Sequence, residues 1–284
     1  MARSHGWLRR CVLLIGVASV LSQVVPTLGA QASFLGFDRN DYPGDDRLTE
    51  LRKTFDYTGY WLSNPPGAKA NTWIGKRQSL QAAGFGFLVL FNGRLYSELK
   101  TVNGATKLGQ TDAQSAVSAV QREGFPNATI IFLDQEEGGR MLPQQKAYLY
   151  AWVDGVNRSG FRAGIYCSGI GAKEEMGDSI ITAEDLRQSA GNRNITYWVT
   201  NDACPPGPGC VTSRHPSLPS SSGIAFAEVW QFAQSPRRKD VAASCTGYSS
   251  DGNCYPPDSG TRNRVHVDLN AATTPDPSHG RRHE

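Results

Sequence analysis

The sequence predicts an α/β fold: a (β/α)8 TIM-like barrel, irregular in its last third, with long disulfide-closed loops. Three observations lead there. Apolar strand-like runs alternate with helix-like runs through the first two-thirds of the chain, the order that parallel βα units produce. Eight strand-like runs can be traced, enough to close a barrel. No Gly-x-Gly-x-x-Gly follows the first run, which weighs against an open doubly wound sheet. The length of 284 residues suits one barrel, since such barrels take ~250 residues.

Residues 1–32 read as an export segment. Arg9 and Arg10 precede an apolar run, Cys11 to Leu21, and Ala30-Gln31-Ala32 offers a small-residue cleavage site. The run is too short for a bilayer, which needs ~20 apolar residues. A buried N-terminal helix is the rival. Cleavage would give a secreted, extracellular protein with no membrane segment. Formal net charge is +3, and losing Arg3, Arg9 and Arg10 leaves 26 basic against 26 acidic residues from Ser33 on. With no basic run, nucleic acid is not an expected partner.

The domain is expected over residues 33–272. Its strands are Phe34–Asp38, Tyr57–Leu62, Phe85–Phe91, Ala128–Asp134, Arg162–Cys167, Ile195–Thr200, Ala225–Phe232 and Arg264–Asp268. Helices are expected at Trp73–Ala83, ended by Gly84, and at Asp112–Glu123, ended by Gly124. Two more are Pro143–Ser159, before Gly160, and Thr182–Ala190, with Thr182 as cap and Asp185 at the capping-box position. Residues 205–223 and 236–261 are long loops, and the tail 273–284 is expected to be disordered. Cys204 and Cys210 bracket one turn-rich loop, and Cys245 and Cys254 another, so two disulfides are expected in an oxidising compartment. Zinc is their rival, without Cys-x-x-Cys or paired His to support it. Cys167 lies in an apolar strand and reads as a free buried thiol, not a nucleophile.

Barrel active sites form at the carboxyl ends of the strands. Those ends carry Asp38, Asn92, Asp134-Gln135-Glu136, Tyr166, Asn201, Trp230-Gln231 and Asp268. Asp134 and Glu136 share a face at i, i+2, about 6.5–7 Å apart on an extended chain. Two carboxylates that close need not ionise together. A neutral acid beside an anion is what glycoside cleavage requires. Glu137 adds a third charge, so a solvated acidic loop is the alternative. For Trp230 and Tyr166, core packing competes with contact to a sugar.

The ordered set Gly36-Phe37-Asp38, Leu133-Asp134-Gln135-Glu136, Gly164-Ile165-Tyr166-Cys167-Ser168, Tyr197-Trp198-Val199, Trp230-Gln231-Phe232 and Val267-Asp268-Leu269-Asn270 resembles glycoside hydrolase family 25, the secreted lysozyme-type muramidases. Tyr60-Trp61-Leu62, Trp73 through Gly84, Asp112-Ala113 and Gly124-Phe125-Pro126 are more similar to its sister group, the glycoside-hydrolase-like domain of secreted bacterial proteins. The resemblance implies Glu136 as proton donor. Asp134 would orient an acetamido group or stabilise oxocarbenium charge, and Asp38 and Asp268 would complete an acidic floor. Tyr166, Trp198, Asn201, Trp230, Gln231 and Asn92 are the expected substrate contacts. Strand 3 departs: Phe91-Asn92-Gly93 stands where the muramidases carry a Tyr-His-Phe type ending.

The expectation is a monomeric hydrolase of peptidoglycan or another amino-sugar polymer, without cofactor or metal. A catalytically inactive carbohydrate- or cell-wall-binding barrel is the alternative, favoured by the strand-3 departure. A metal-dependent deacetylase is poorly supported, since two of the four histidines after the export segment, His279 and His283, lie in the tail.

Overall fold

The apolar runs become strands in the computed structural model, which describes residues 1, 32–175, 177–201, 216–233, 265 and 267–281. Eight strands close a barrel: β1 (Phe34–Asp38), β2 (Tyr57–Trp61), β3 (Gly86–Asn92), β4 (Ile130–Asp134), β5 (Arg162–Ser168), β8 (Thr196–Thr200), β9 (Val229–Ala233) and β10 (Asp268–Ala272). The order around the barrel is β1-β10-β9-β8-β5-β4-β3-β2. Two short strands, β6 (Gly171–Lys173) and β7 (Ser179–Ile181), make a separate antiparallel hairpin. The helices are α1 (Leu48–Arg52), α2 (Arg77–Ala82), α3 (Val102–Arg122), α4 (Pro143–Arg158) and α5 (Thr182–Ser189). The fold is a mixed α/β closed barrel, as predicted. Residues 2–31 of the export segment and Cys204, Cys210, Cys245 and Cys254 lie outside the described residues.

The irregularity expected late in the barrel is a reversal. Seven strands run parallel; β10 runs antiparallel to both β1 and β9. The eighth strand is expected at Arg264–Asp268, but the paired segment is Asp268–Ala272. Leu269 through Ala272 are wholly buried, so this segment, not the polar alternation before it, closes the barrel. Reversal moves Asp268 from the end of a strand to its start. It also turns that start toward the rim where the other strands end, and Asp268 pairs with Asp38.

Residues 273–281, beyond β10, are also ordered, against the expectation of a disordered tail. Residues 273–281 bind the amino ends of β3 and β4. Phe87 N donates to Asp276 Oδ1 at 2.8 Å, Val89 N to Ser278 Oγ at 2.8 Å, and Ile130 N to Ser278 O at 2.8 Å. The Arg77 guanidinium donates to Gly280 O at 2.9 Å and lies over the Phe125 ring. A Pro/Ser/His/Arg composition carries no apolar pattern, yet this segment satisfies strand-end N–H groups that would otherwise be buried without partners. Gly86 makes room for it: a Cβ there would sit 1.9 Å from Pro275 O. Gly86→Ala is therefore expected to destabilise the fold by about 1–3 kcal/mol. An unchanged midpoint in chemical denaturation would show that this contact does not constrain the fold.

Three helix expectations need correction. The helix expected at Asp112 starts at Val102, capped by Thr101 Oγ1 accepting from Gly104 N at 3.1 Å. Gly104 and Gly109 depress helix propensity there. Tertiary packing overrides them, because a Cβ at Gly109 would lie 2.2 Å from Tyr148 O of α4. The expected Trp73–Ala83 helix shrinks to α2, since Gly75 adopts φ +77° and the Trp73 indole donates to Asn40 O. Thr182 is not the cap of α5. Its hydroxyl donates to Gly139 O, while Asp185 accepts from Met141 N at 3.0 Å and Lys146 Nζ at 2.8 Å. Both residues fasten the loop after β4.

Candidate functional site

Strand alternation decides which residues line the barrel. Along β9, Gln231 points inward and Trp230 and Phe232 point outward; along β10, Asp268 and Asn270 point inward. The inward residues meet in one hydrogen-bonded set. Asp38 Oδ2 accepts from Asn270 Nδ2 at 2.6 Å and from Gln231 Nε2 at 3.0 Å. Trp198 Nε1 donates to Asn270 Oδ1 at 2.9 Å, and Tyr166 Oη donates to Gln231 Oε1 at 2.7 Å.

The carboxylates gather at the same rim. Asp134 ends β4 in register with Asn92 of β3 and Tyr166 of β5. Asp38 and Asp134 are 6% and 5% exposed, whereas Glu136, two residues on, is exposed. Burial holds the Asp134 carboxyl well above the usual carboxylate range, reinforced by the charges of Glu136 and Asp38 and a hydrogen bond with Glu136. Burial also raises Asp38, opposed by its two amide donors, to about 6. Directly opposed residues of an antiparallel pair share a face, with Cβ atoms about 4.5–5.5 Å apart, so Asp268 stands beside Asp38. Tyr57, which the sequence does not single out, lies inside the barrel close enough to Asp38 to feel its charge.

Several expected substrate contacts take other places. Trp230 is 5% exposed, faces away from Gln231, packs on Phe232 and donates its indole N–H to Asn201 O. Neighbours on a strand point to opposite faces, so Trp230 and Gln231 cannot both line the cleft. Asn201 donates to Ser222 O at 2.7 Å and braces the loop before β9. Trp198 is 1% exposed and packs against Tyr166 and Phe132, beneath the cleft floor instead of on its wall. Asn92 stays at the rim, partly exposed, its backbone N–H bound to Ser63 Oγ. Asn270 is the site residue that the sequence reading misses. Its signal is the last letter of Val267-Asp268-Leu269-Asn270, two residues from Asp268 and therefore on the same face. Cys167 is a buried free thiol whose ionisation burial pushes up to about 12.

A closed α/β barrel with carboxylates collected at one rim defines the class: a glycoside hydrolase-like barrel domain. The chain belongs to the Rv2525c-like family of glycoside hydrolase-like domains, whose family model matches residues 56–203. Among solved structures, an uncharacterised B. stearothermophilus protein is similar at 18% identity and TM-score 0.50, over 84% of this chain and 95% of that one. The Mycobacterium tuberculosis Tat-secreted protein Rv2525c, in complex with HEPES, is similar at 13% identity and TM-score 0.50, over 88% of this chain and 98% of its own. A family 25 glycosyl hydrolase from Bacillus anthracis is similar at 12% identity and TM-score 0.47, over 85% of this chain and 89% of its own. No curated protein matches the chain. Identities this low speak to the fold alone.

Proposed function

We propose that this chain is a secreted, monomeric glycoside hydrolase that cleaves peptidoglycan or another amino-sugar polymer by carboxylate acid catalysis. One observation carries the proposal: Asp38, Asp134 and Glu136 interact electrostatically at one rim, and Asp134 is buried against Glu136 with its proton affinity raised. A purely adhesive site has no need to hold a proton there. In this scheme Glu136, the exposed member, reaches the glycosidic oxygen. It gives up a proton as the bond from that oxygen to the anomeric carbon breaks. Asp134 lies below it, holds a proton in its hydrogen bond to Glu136, and passes that proton up to Glu136 for the transfer. Asp38, with Asp268 beside it, faces the positive charge developing on the sugar. Water supplies the hydroxyl for the anomeric carbon, and the proton it loses returns to the Glu136–Asp134 pair.

The test is incubation of the purified protein with a panel of cell walls and amino-sugar polymers, reading new reducing ends. Cleavage of an amino-sugar polymer is the expected result. Retention of glycan in the cleft without any new reducing end would transfer the site to the binding-barrel alternative, which the Asn92 rim favours.

Secretion follows from residues 1–32. No described helix is long and apolar enough to cross a membrane. The two loops closed by Cys204–Cys210 and Cys245–Cys254 belong to the same proposal, since short loops close at modest entropic cost. Peptide mapping without reductant is expected to recover those two pairs and a free Cys167; a linkage through Cys167 would overturn the pairing.

A further inference from the structure

The contacts around Asp38 define more than an acidic floor. An indole N–H can only donate. Trp198 therefore fixes Asn270 with its oxygen toward the indole and its Nδ2 toward Asp38. Gln231 is oriented from the other side: Tyr166 Oη donates to its Oε1, and its Nε2 faces Asp38, where the opposite orientation would set Oε1 against the carboxylate. Both amides end on the same oxygen, Oδ2, whose two lone pairs are then occupied. Among the described residues nothing donates to Oδ1. Asn270 is fully buried and Gln231 nearly so; turning Asn270 would strand the buried indole, and turning Gln231 would face an amide oxygen with the Asp38 carboxylate.

We infer that Asn270 and Gln231 are positioning residues that hold Asp38 by Oδ2 and leave Oδ1 as the oxygen that takes a proton or meets the ligand. A held Oδ1 suits a hydrogen-bond donor on the sugar, an acetamido N–H or a ring hydroxyl. The two amides also separate Asp38 from Asp134. Both are buried, but Asp38 accepts two N–H donors that favour its anion, whereas the Glu136 hydrogen bond favours the protonated form of Asp134. Opposed environments of this kind sort a carboxyl pair into acid and anion. The titratable groups facing Asp38 are Asp268 from β10, Tyr57 from β2, Asp134 and Glu136 at the end of β4, and Tyr166 from β5. All are acidic, so among the described residues the two amides are what favours its anion. The ligand role rests on the proposed glycosidase; the holding of Oδ2 does not.

The test is a carboxyl carbon-13 NMR titration of the full chain, wild type against Asn270→Leu, Gln231→Leu and Tyr166→Phe. Asp38 is expected to ionise before Asp134 in the wild type. Each Leu variant is expected to move the Asp38 midpoint upward by about one pH unit or more, as loss of a donor to the anion requires. Tyr166→Phe removes one oxygen from a ring that stays in place, and keeps the test open if a Leu variant does not fold. It frees the Gln231 amide and is expected to shift Asp38 in the same direction by less. An Asp38 midpoint unmoved in the folded variants, or Asp134 ionising first, would overturn the inference. A merely structural role for the amides would change stability and leave that midpoint alone. Midpoint shifts without any glycan cleavage would refute the hydrolase and keep the positioning; cleavage without shifts would do the reverse.

Discussion

Glu136→Gln is expected to lower turnover of whichever glycan the wild-type protein cleaves by ~10²–10⁴-fold, the contribution of a positioned general acid. The substitution preserves size and hydrogen-bonding reach but removes the proton that the glycosidic oxygen must receive. Glu136 is the exposed carboxyl of its pair, so it is the one a polymer can touch. Asp134 beneath it is buried and cannot replace it at the bond. Glycan affinity is expected to stay near the wild-type value, because the ground state does not use the transferred proton. The decisive measurement is initial rate against binding on the same polymer. Equal rates for the two proteins would show that the acid is another group.

The second large effect is on stability and comes from the same burial. Asp38 binds its proton up to about 6 in the fold against an ordinary value of 3.8, and Asp134 is displaced in the same direction. Below the unfolded value both states carry the proton and folding meets no penalty. Above it the unfolded chain ionises first, so stability falls as pH rises from about 4 to 6 and levels off beyond the folded value. For Asp38 alone the loss at neutral pH is about 3 kcal/mol, since each pH unit between the unfolded and folded values is worth ~1.4 kcal/mol. Asp134→Asn is expected to raise the melting temperature at pH 7 and to flatten its decline between mild acid and neutrality. A stability gain of about 1–3 kcal/mol with lost activity is the ordinary exchange at a site that holds buried charge. Thermal unfolding of both proteins across that pH window checks it. A wild-type stability that climbs through the window, unchanged by Asp134→Asn, would show that the carboxyls ionise freely in the fold.

Much of the site is legible because strand ends announce themselves. Asp38 and Asp134 each close an apolar run, and a carboxylate directly after buried strand residues has few places to go except the rim. Glu136 follows from the period of two. The same period, applied to Trp230 and Gln231, separates them; only Gln231 points inward. Trp198 and Asn201 mislead for a different reason. Each looks like a ligand contact by type, but the indole donates to Asn270 and the side-chain N–H of Asn201 to Ser222. Partners 72 and 21 residues away along the chain carry no local signal.

By itself the sequence determined the alternation of strands and helices, the closed α/β barrel, and the carboxylates that would stand where strands end. These are local properties: apolar periodicity, glycine stops, and residue type at a boundary. Only the tertiary structure decided that the last strand runs backwards, that the segment after it lies against the amino ends of β3 and β4, and that Asn270 and Gln231 grip a single oxygen of Asp38. Strand direction and register depend on which neighbours a segment can pair with, and on burying Leu269 through Ala272 between β1 and β9. That choice belongs to the whole barrel, because the partners of the last strand, β1 and β9, come from opposite ends of the domain.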